Sequence, residues 1–245
     1  MSAARKVVGM IPARMAATRL PGKPLLEIAG KPMIQWVWEN ACRARCVDEV
    51  LVATCDPAIM AAVRAFGGRA EMTADTHTSG TERLAEVAAR IDADIVVNIQ
   101  GDEPLLAPET VDAVVQPLLA DPASCMSSAM CPCPEAELDN PATVKVVCGA
   151  NQNALYFSRW RIPYMRSPAA PVTTMQHIGL YAYTRDFLIT VAAMPPAPIE
   201  QAECLEQLRA LYNGYAIRMV HMDAAPLSVD TPDDLERVRA ILSAR

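Results

Sequence analysis

Ile95-Val96-Val97-Asn98-Ile99-Gln100-Gly101-Asp102-Glu103-Pro104 is the stretch on which the fold turns. Its first five residues are apolar on both faces apart from Asn98, the pattern of a strand covered by helices on two sides, as in the middle of a mainly parallel sheet. Toward the N-terminus the same grammar repeats. Strands are predicted over residues 7–12 and 50–53, with helices over 33–45, 57–66 (closed by Gly67-Gly68) and 81–91. Toward the C-terminus follow a helix over 108–119, a strand over 142–148, an amphipathic helix over 199–211 and a strand over 217–222. A last helix is opened by Thr231-Pro232, with the hydroxyl as N-cap and proline in the first turn. Residues 156–183 read differently, aromatic and proline-containing with their clearest strand at 178–183, and are expected to form a subsidiary layer. Alternation of short β-branched runs with helical periodicity predicts an α/β fold, a mainly parallel mixed sheet flanked by helices.

At 245 residues the chain suits one domain, 1–245, able to bury roughly three-quarters of its unfolded surface without staples. Hydrophobic residues make up 52% of it, yet no apolar run approaches the ~18 residues of a membrane span. The apolar stretch 7–11 behind Arg5 and Lys6 is too short for a signal-peptide core, so a cytoplasmic protein without membrane insertion is expected. A net charge of −6 argues against a nucleic-acid partner, whose binders carry a broad basic footprint, and makes any anion site local. The eight cysteines read as reduced thiols; Cys131-Pro-Cys133 lacks the spacing and the nearby histidine of a zinc site.

Chemistry concentrates where strands end. After the first strand comes Arg14-Met15-Ala16-Ala17-Thr18-Arg19-Leu20-Pro21-Gly22-Lys23-Pro24-Leu25. Open α/β sheets bind ligands at the carboxyl ends of their strands, so Arg14, Arg19 and Lys23 are placed to hold polyphosphate, although three basic residues also suit a solvated loop. The spacing is that of neither a Walker A loop nor a Gly-x-Gly-x-x-Gly fingerprint. His77-Thr78-Ser79-Gly80-Thr81-Glu82-Arg83 opens a helix with Ser79 or Thr81 as its cap. Asp102, after a glycine that lets backbone approach a ligand, suits a Mg2+ completed by phosphate and water, or a simple turn. In Asp230-Thr231-Pro232-Asp233-Asp234, the last two acids are explained by the helix dipole, which leaves Asp230 over.

Taken together, these blocks resemble the nucleotide-sugar pyrophosphorylase superfamily, and within it the 3-deoxy-manno-octulosonate cytidylyltransferases, over residues 7–239 with five motifs in order. The resemblance implies a nucleotide-diphospho-sugar transferase-like fold in which a small β-rich element, residues 156–184, helps form a homodimer. It also implies transfer of CMP from CTP to the acidic sugar Kdo for lipopolysaccharide biosynthesis. Arg14, Arg19 and Lys23 would then bind the CTP phosphates, with Ser79, Gly80 and Arg83 against the cytidine half. Asp102 and Asp230 would hold Mg2+. Gln100, Arg159, His177, Tyr181, Glu206 and Gln207 would surround the sugar acid, Arg159 taking its carboxylate. Ala17, Gln176 and Ser228 depart from the usual pattern. Acceptors such as 8-amino-Kdo or sialic acid remain alternatives, as does a nucleotide-binding module without catalysis. A glycosyltransferase would need an Asp-x-Asp motif after a central strand, where Gly101-Asp102-Glu103 stands instead.

Overall fold

The structure, a computed structural model, describes residues 5–16, 20–167 and 171–244. Its centre is β1 (Val7–Ala13), which pairs in parallel with β4 (Glu49–Thr54) on one side and β6 (Ile95–Asn98) on the other. The pleat sorts β1 by parity: Val7 and Ile11 join one apolar cluster, Val8 and Met10 the other. On the first face lie α1 (Met33–Ala41), α2 (Pro57–Ala65) and α4 (Pro108–Ala120), through Ile34, Val37, Ile59, Val63, Val111 and Val115. On the second lie α3 (Gly80–Ala88) and α5 (Arg185–Ala193), through Leu84, Val87, Phe187 and Leu188. Both faces of the central strands are thus covered, which is why they read as unbroken apolar runs.

Among the described residues the sheet has nine strands. Its path runs β11 (Arg218–His221), β7 (Met126–Pro132), β10 (Met175–Thr184), β6, β1, β4 and β5 (Arg69–Met72), with β8 (Lys145–Cys148) and β9 (Ala154–Ser158) branching from β10. Strand β10 runs antiparallel to its neighbours β6, β7 and β8, which makes the sheet mixed. A small hairpin, β2 (Glu27–Ile28) with β3 (Lys31–Pro32), and the C-terminal α8 (Pro232–Ser243) share a third cluster around Ile28, Met33, Leu235 and Val238.

Several sequence expectations are amended here. The expected subsidiary layer reduces to the branch β8–β9 and the first residues of β10, while 178–184 runs through the main sheet between β6 and β7. The helix expected over 199–211 is two, α6 (Pro198–Glu203) and α7 (Leu208–Tyr212), because Cys204 takes the left-handed conformation at φ 51° and ends the first. Strands β5 and β7 and helix α5 were not anticipated. In β7 the polar pair Ser127-Ser128 breaks the apolar run, yet both residues are fully buried, their hydroxyls satisfied by partners in other elements.

Candidate active site

Four chain segments meet at the carboxyl ends of β1 and β6, the edge where open α/β sheets place ligands. They enclose a cleft of about 400 Å³ lined by Arg14, Lys23, Thr78, Ser79, Gly80, Arg83, Gln100, Asp102 and Asp230, within the usual size range of small-molecule sites. Eight residues singled out from sequence therefore share one cavity. Arg19 lies outside the described residues, as does Ala17.

Each wall is fixed by local chemistry. Gly22 adopts φ 70° at the turn into Lys23-Pro24-Leu25, a conformation that favours glycine, and so sets where Lys23 emerges. Gly101 packs against β1: a Cβ there would stand 3.2 Å from the Pro12 carbonyl oxygen, too near for comfort against backbone. The Asp102 carbonyl accepts a hydrogen bond from Val229 N at 2.9 Å, which brings Asp230 beside Asp102. Ser79 is the N-cap of α3, its hydroxyl accepting from Glu82 N at 3.2 Å. At the start of α8, Asp234 caps back onto Thr231 N at 2.9 Å and Asp230 N at 3.2 Å, while Asp233 and Asp234 fill the first turn, consistent with their structural reading.

Among the described residues, two carboxylates of the cleft meet the same ammonium. Lys23 Nζ is 2.6 Å from Asp102 Oδ2 and 3.1 Å from Asp230 Oδ1. Behind them lies Glu103, 7% exposed, whose Oε2 has no hydrogen-bond partner among the described residues. Burial first, then the charges of Asp102 and Asp230, push its carboxyl up to about 8, which favours the neutral form at pH 7. Sequence reading assigned Glu103 no role, since nothing local reveals that it points inward. Among the described residues no group of three or more His, Cys, Asp or Glu is arranged to hold a metal. Two hard carboxylates that already converge on one cation, 31% and 39% exposed beside a basic cleft, fit Mg2+, which takes one or two carboxylates and completes its shell with phosphate and water.

A second, much smaller pocket adjoins, about 30 Å³, lined by Thr81, Tyr181, Tyr183, Glu206, Gln207 and Arg209 among others. It connects to the cleft through α3: Gly80 lines the cleft, and the next residue, Thr81, donates its hydroxyl to Glu206 Oε2 at 2.7 Å. Such a pocket takes a hydroxyl or a water, not a whole sugar, so the sugar acid expected from the sequence would have to lie mainly in the large cleft. Arg209 is engaged in a buried ion pair with Glu200 at 2.5 Å.

Three assigned residues have partners within the protein. Arg159 lines neither cavity; it donates to the carbonyls of Glu203 (2.7 Å), Pro141 (3.0 Å) and Cys204 (3.2 Å). The end of α6 leaves carbonyls that need donors, and this guanidinium supplies them. Arg83 is 3% exposed and bonds the Thr73 hydroxyl and, at 3.3 Å, the Ala74 carbonyl, so it braces the loop before α3 as well as flooring the cleft. His177 is buried, its Nε2 2.9 Å from the Ser128 hydroxyl, and burial lowers its pKa to about 3. Its ring lies 5.4 Å from that of Tyr181, which places it behind the small pocket. Gln100 lines the large cleft with Nε2 donated to the Gly179 carbonyl at 2.9 Å.

With this geometry in place, comparison with known proteins is direct. A family model described as Cytidylyltransferase matches residues 8–219. A 3-deoxy-manno-octulosonate cytidylyltransferase of Syntrophotalea carbinolica is 50% identical over 245 residues, covering 96% of this chain and 98% of its own. One from Escherichia coli is 48% identical, covering 97% and 96%. The chain belongs to the 3-deoxy-manno-octulosonate cytidylyltransferase family. Among solved structures, a CMP:2-keto-3-deoxy-manno-octonic acid synthetase in complex with CTP matches with a TM-score of 0.94 and 48% identity, covering 98% of this chain and 99% of that one. A 4-diphosphocytidyl-2C-methyl-D-erythritol synthase from Anaerococcus prevotii, 12% identical with a TM-score of 0.65, shares the fold.

Proposed function

We propose that this protein transfers the cytidylyl group of CTP to the anomeric hydroxyl of Kdo, releasing pyrophosphate. The observation that carries the reading is the convergence of Arg14, Lys23, Ser79, Gly80, Asp102 and Asp230 on one cleft, in a family whose solved relative is complexed with CTP. Arg14 and Lys23, with Arg19 from the same loop, bind the phosphates and stabilise charge on the departing pyrophosphate. Ser79 and Gly80, at the N-terminus of α3, approach the cytidine half, and Arg83 holds that loop in shape. Gln100, oriented by the Gly179 carbonyl, contacts the sugar acid, and Tyr181, His177, Glu206 and Gln207 receive its hydroxyls at the small pocket. The anomeric hydroxyl attacks the α-phosphorus in line, so positioning by these two groups of side chains supplies much of the catalysis. Asp102 and Asp230 would hold Mg2+, which would supply Lewis-acid charge at the phosphoryl oxygens and lower the pKa of the attacking hydroxyl.

The chemistry belongs to lipopolysaccharide precursor synthesis in the cytoplasm. No helix among the described residues is long and apolar enough to cross a membrane. We assign homodimerisation to the β9 branch, where Leu155, Trp160 and Tyr164 are 62%, 76% and 86% exposed within ten residues of chain. Incubating the protein with CTP, Mg2+ and Kdo, 8-amino-Kdo or sialic acid in turn, and weighing the products, tests the activity. The expected result is CMP-Kdo and pyrophosphate. Preference for another acid would replace the acceptor, and CTP binding without pyrophosphate release would leave a binding module.

A further inference from the structure

Ser128 sits in the middle of β7, fully buried, across from Tyr181 in the register of β10. Next to this pair β10 bulges, its register shifting between Ile178 and Tyr181, so two of its carbonyls turn toward the serine. The hydroxyl oxygen lies 2.9 Å from the Leu180 carbonyl, 3.2 Å from the Ile178 carbonyl and 2.9 Å from His177 Nε2. A serine hydroxyl has one proton, and carbonyls can only accept.

That count decides the histidine. If the serine donated to His177 Nε2, its oxygen would face two carbonyl oxygens with no proton between them. If His177 Nε2–H instead donates to the serine oxygen, the serine proton goes to Leu180, shared with Ile178, and every contact is made. Burial keeps the ring neutral at ordinary pH, so only one of its nitrogens carries a proton. Nδ1 is then a bare acceptor. Gln207, which lines the small pocket with Tyr181, is 6% exposed and its Nε2 has no partner among the described residues, a donor without an acceptor. A hydroxyl group can donate to a bare ring nitrogen or accept from such an amide.

We propose that Ser128 is a positioning residue that fixes His177 in the Nε2–H tautomer, leaving Nδ1 to accept a hydrogen bond from a hydroxyl of the sugar acid. The proton on Nε2 follows from the hydrogen-bond geometry and the bare Nδ1 from the ring's burial; the partner rests on the proposed function. Nitrogen-15 NMR of histidine-labelled protein reads the tautomer directly, with His77 and His221 assigned by substitution. In the wild type the His177 proton is expected on Nε2 throughout pH 6–8; a proton on Nδ1, or a charged ring, overturns the proposal. Ser128→Ala is expected to release the tautomer and Ser128→Thr, which keeps the hydroxyl, to retain it. With CTP saturating, Ser128→Ala should raise KM for Kdo by up to about tenfold, the scale of one neutral hydrogen bond, with KM for CTP unchanged. An equal rise in both constants would mark a merely structural role and overturn the positioning claim. An Nε2–H signal in a protein that turns over no sugar acid would sink the proposed function while leaving Ser128's control of the ring standing.

Discussion

The ammonium nitrogen of Lys23 lies 2.6 Å from Oδ2 of Asp102, and 3.1 Å from Oδ1 of Asp230. Lys23 is thus a counter-cation of the carboxylates proposed for Mg2+, and its side chain is only 13% exposed. The single ammonium offsets one of the two carboxylate charges.

Replacing it tests that role. In Lys23→Met the carboxylates lose an internal competitor, so Mn2+ followed by electron paramagnetic resonance without nucleotide should bind tighter by about tenfold, a modest share of a contact charge–charge energy near a surface. Turnover should fall and KM for CTP rise. Mn2+ affinity that is unchanged or weaker would show that Lys23 does not compete for the site.

Asp102→Asn keeps the shape of the side chain and removes its charge. CTP should still bind, as followed by calorimetry, while turnover drops by about a hundredfold or more, the scale of losing one charge-stabilising group in a transition state. Ordinary turnover at ordinary Mg2+ would remove Asp102 from the metal role.

Two N-caps distinguish stability from binding. Ser79→Ala and Thr184→Ala each remove a cap, of α3 and α5 respectively, and each should cost about 1 kcal/mol, or ~2–4 °C in Tm. Thr184 pairs with Ile95 at the start of β6, the far end from the cleft, so its loss should leave KM for CTP alone. Ser79 lines the cleft, and its loss should raise that constant. Identical kinetics in the two variants would confine Ser79 to capping.

His177 makes stability pH-dependent. Its pKa is lowered to about 3 in the folded protein against an ordinary 6.5, so between those values the unfolded chain binds the extra proton. The stabilisation is full above pH 6.5 and is lost as pH falls toward 3, with a slope of up to about 1.4 kcal/mol per pH unit. Urea unfolding at pH 5 and 7 should show His177→Asn with a smaller difference between the two than the wild type. Equal pH dependence in both proteins would mean that the ring is not held neutral.

The elements legible in sequence were those whose signal is local. Strands β1, β4 and β6 announce themselves because a strand covered on both faces has no polar alternation to confuse, and the caps at Ser79 and Thr231 are hydroxyls bonding within three residues of chain. Where the deciding partner is distant, the signal vanished. Ser127 and Ser128 look like loop residues until β10 and α4 supply their acceptors. The break at Cys204 is a backbone conformation that side-chain periodicity does not encode.

For the site, the sequence by itself determined which residue types stand at which strand ends: the basic loop after β1, the carboxylate after β6 and the leftover aspartate before α8. These are fixed by order along the chain, and family membership follows from them. Only the tertiary structure decided how the charges are used. It set Lys23 between acids 79 and 207 residues away, spent Arg159 on the carbonyls of α6, buried Glu103 so that its neutral form is favoured, and gave His177 a serine that chooses its proton. Charge, hydrogen bonding and burial act over a few ångströms of space, and distance along the chain does not record those ångströms.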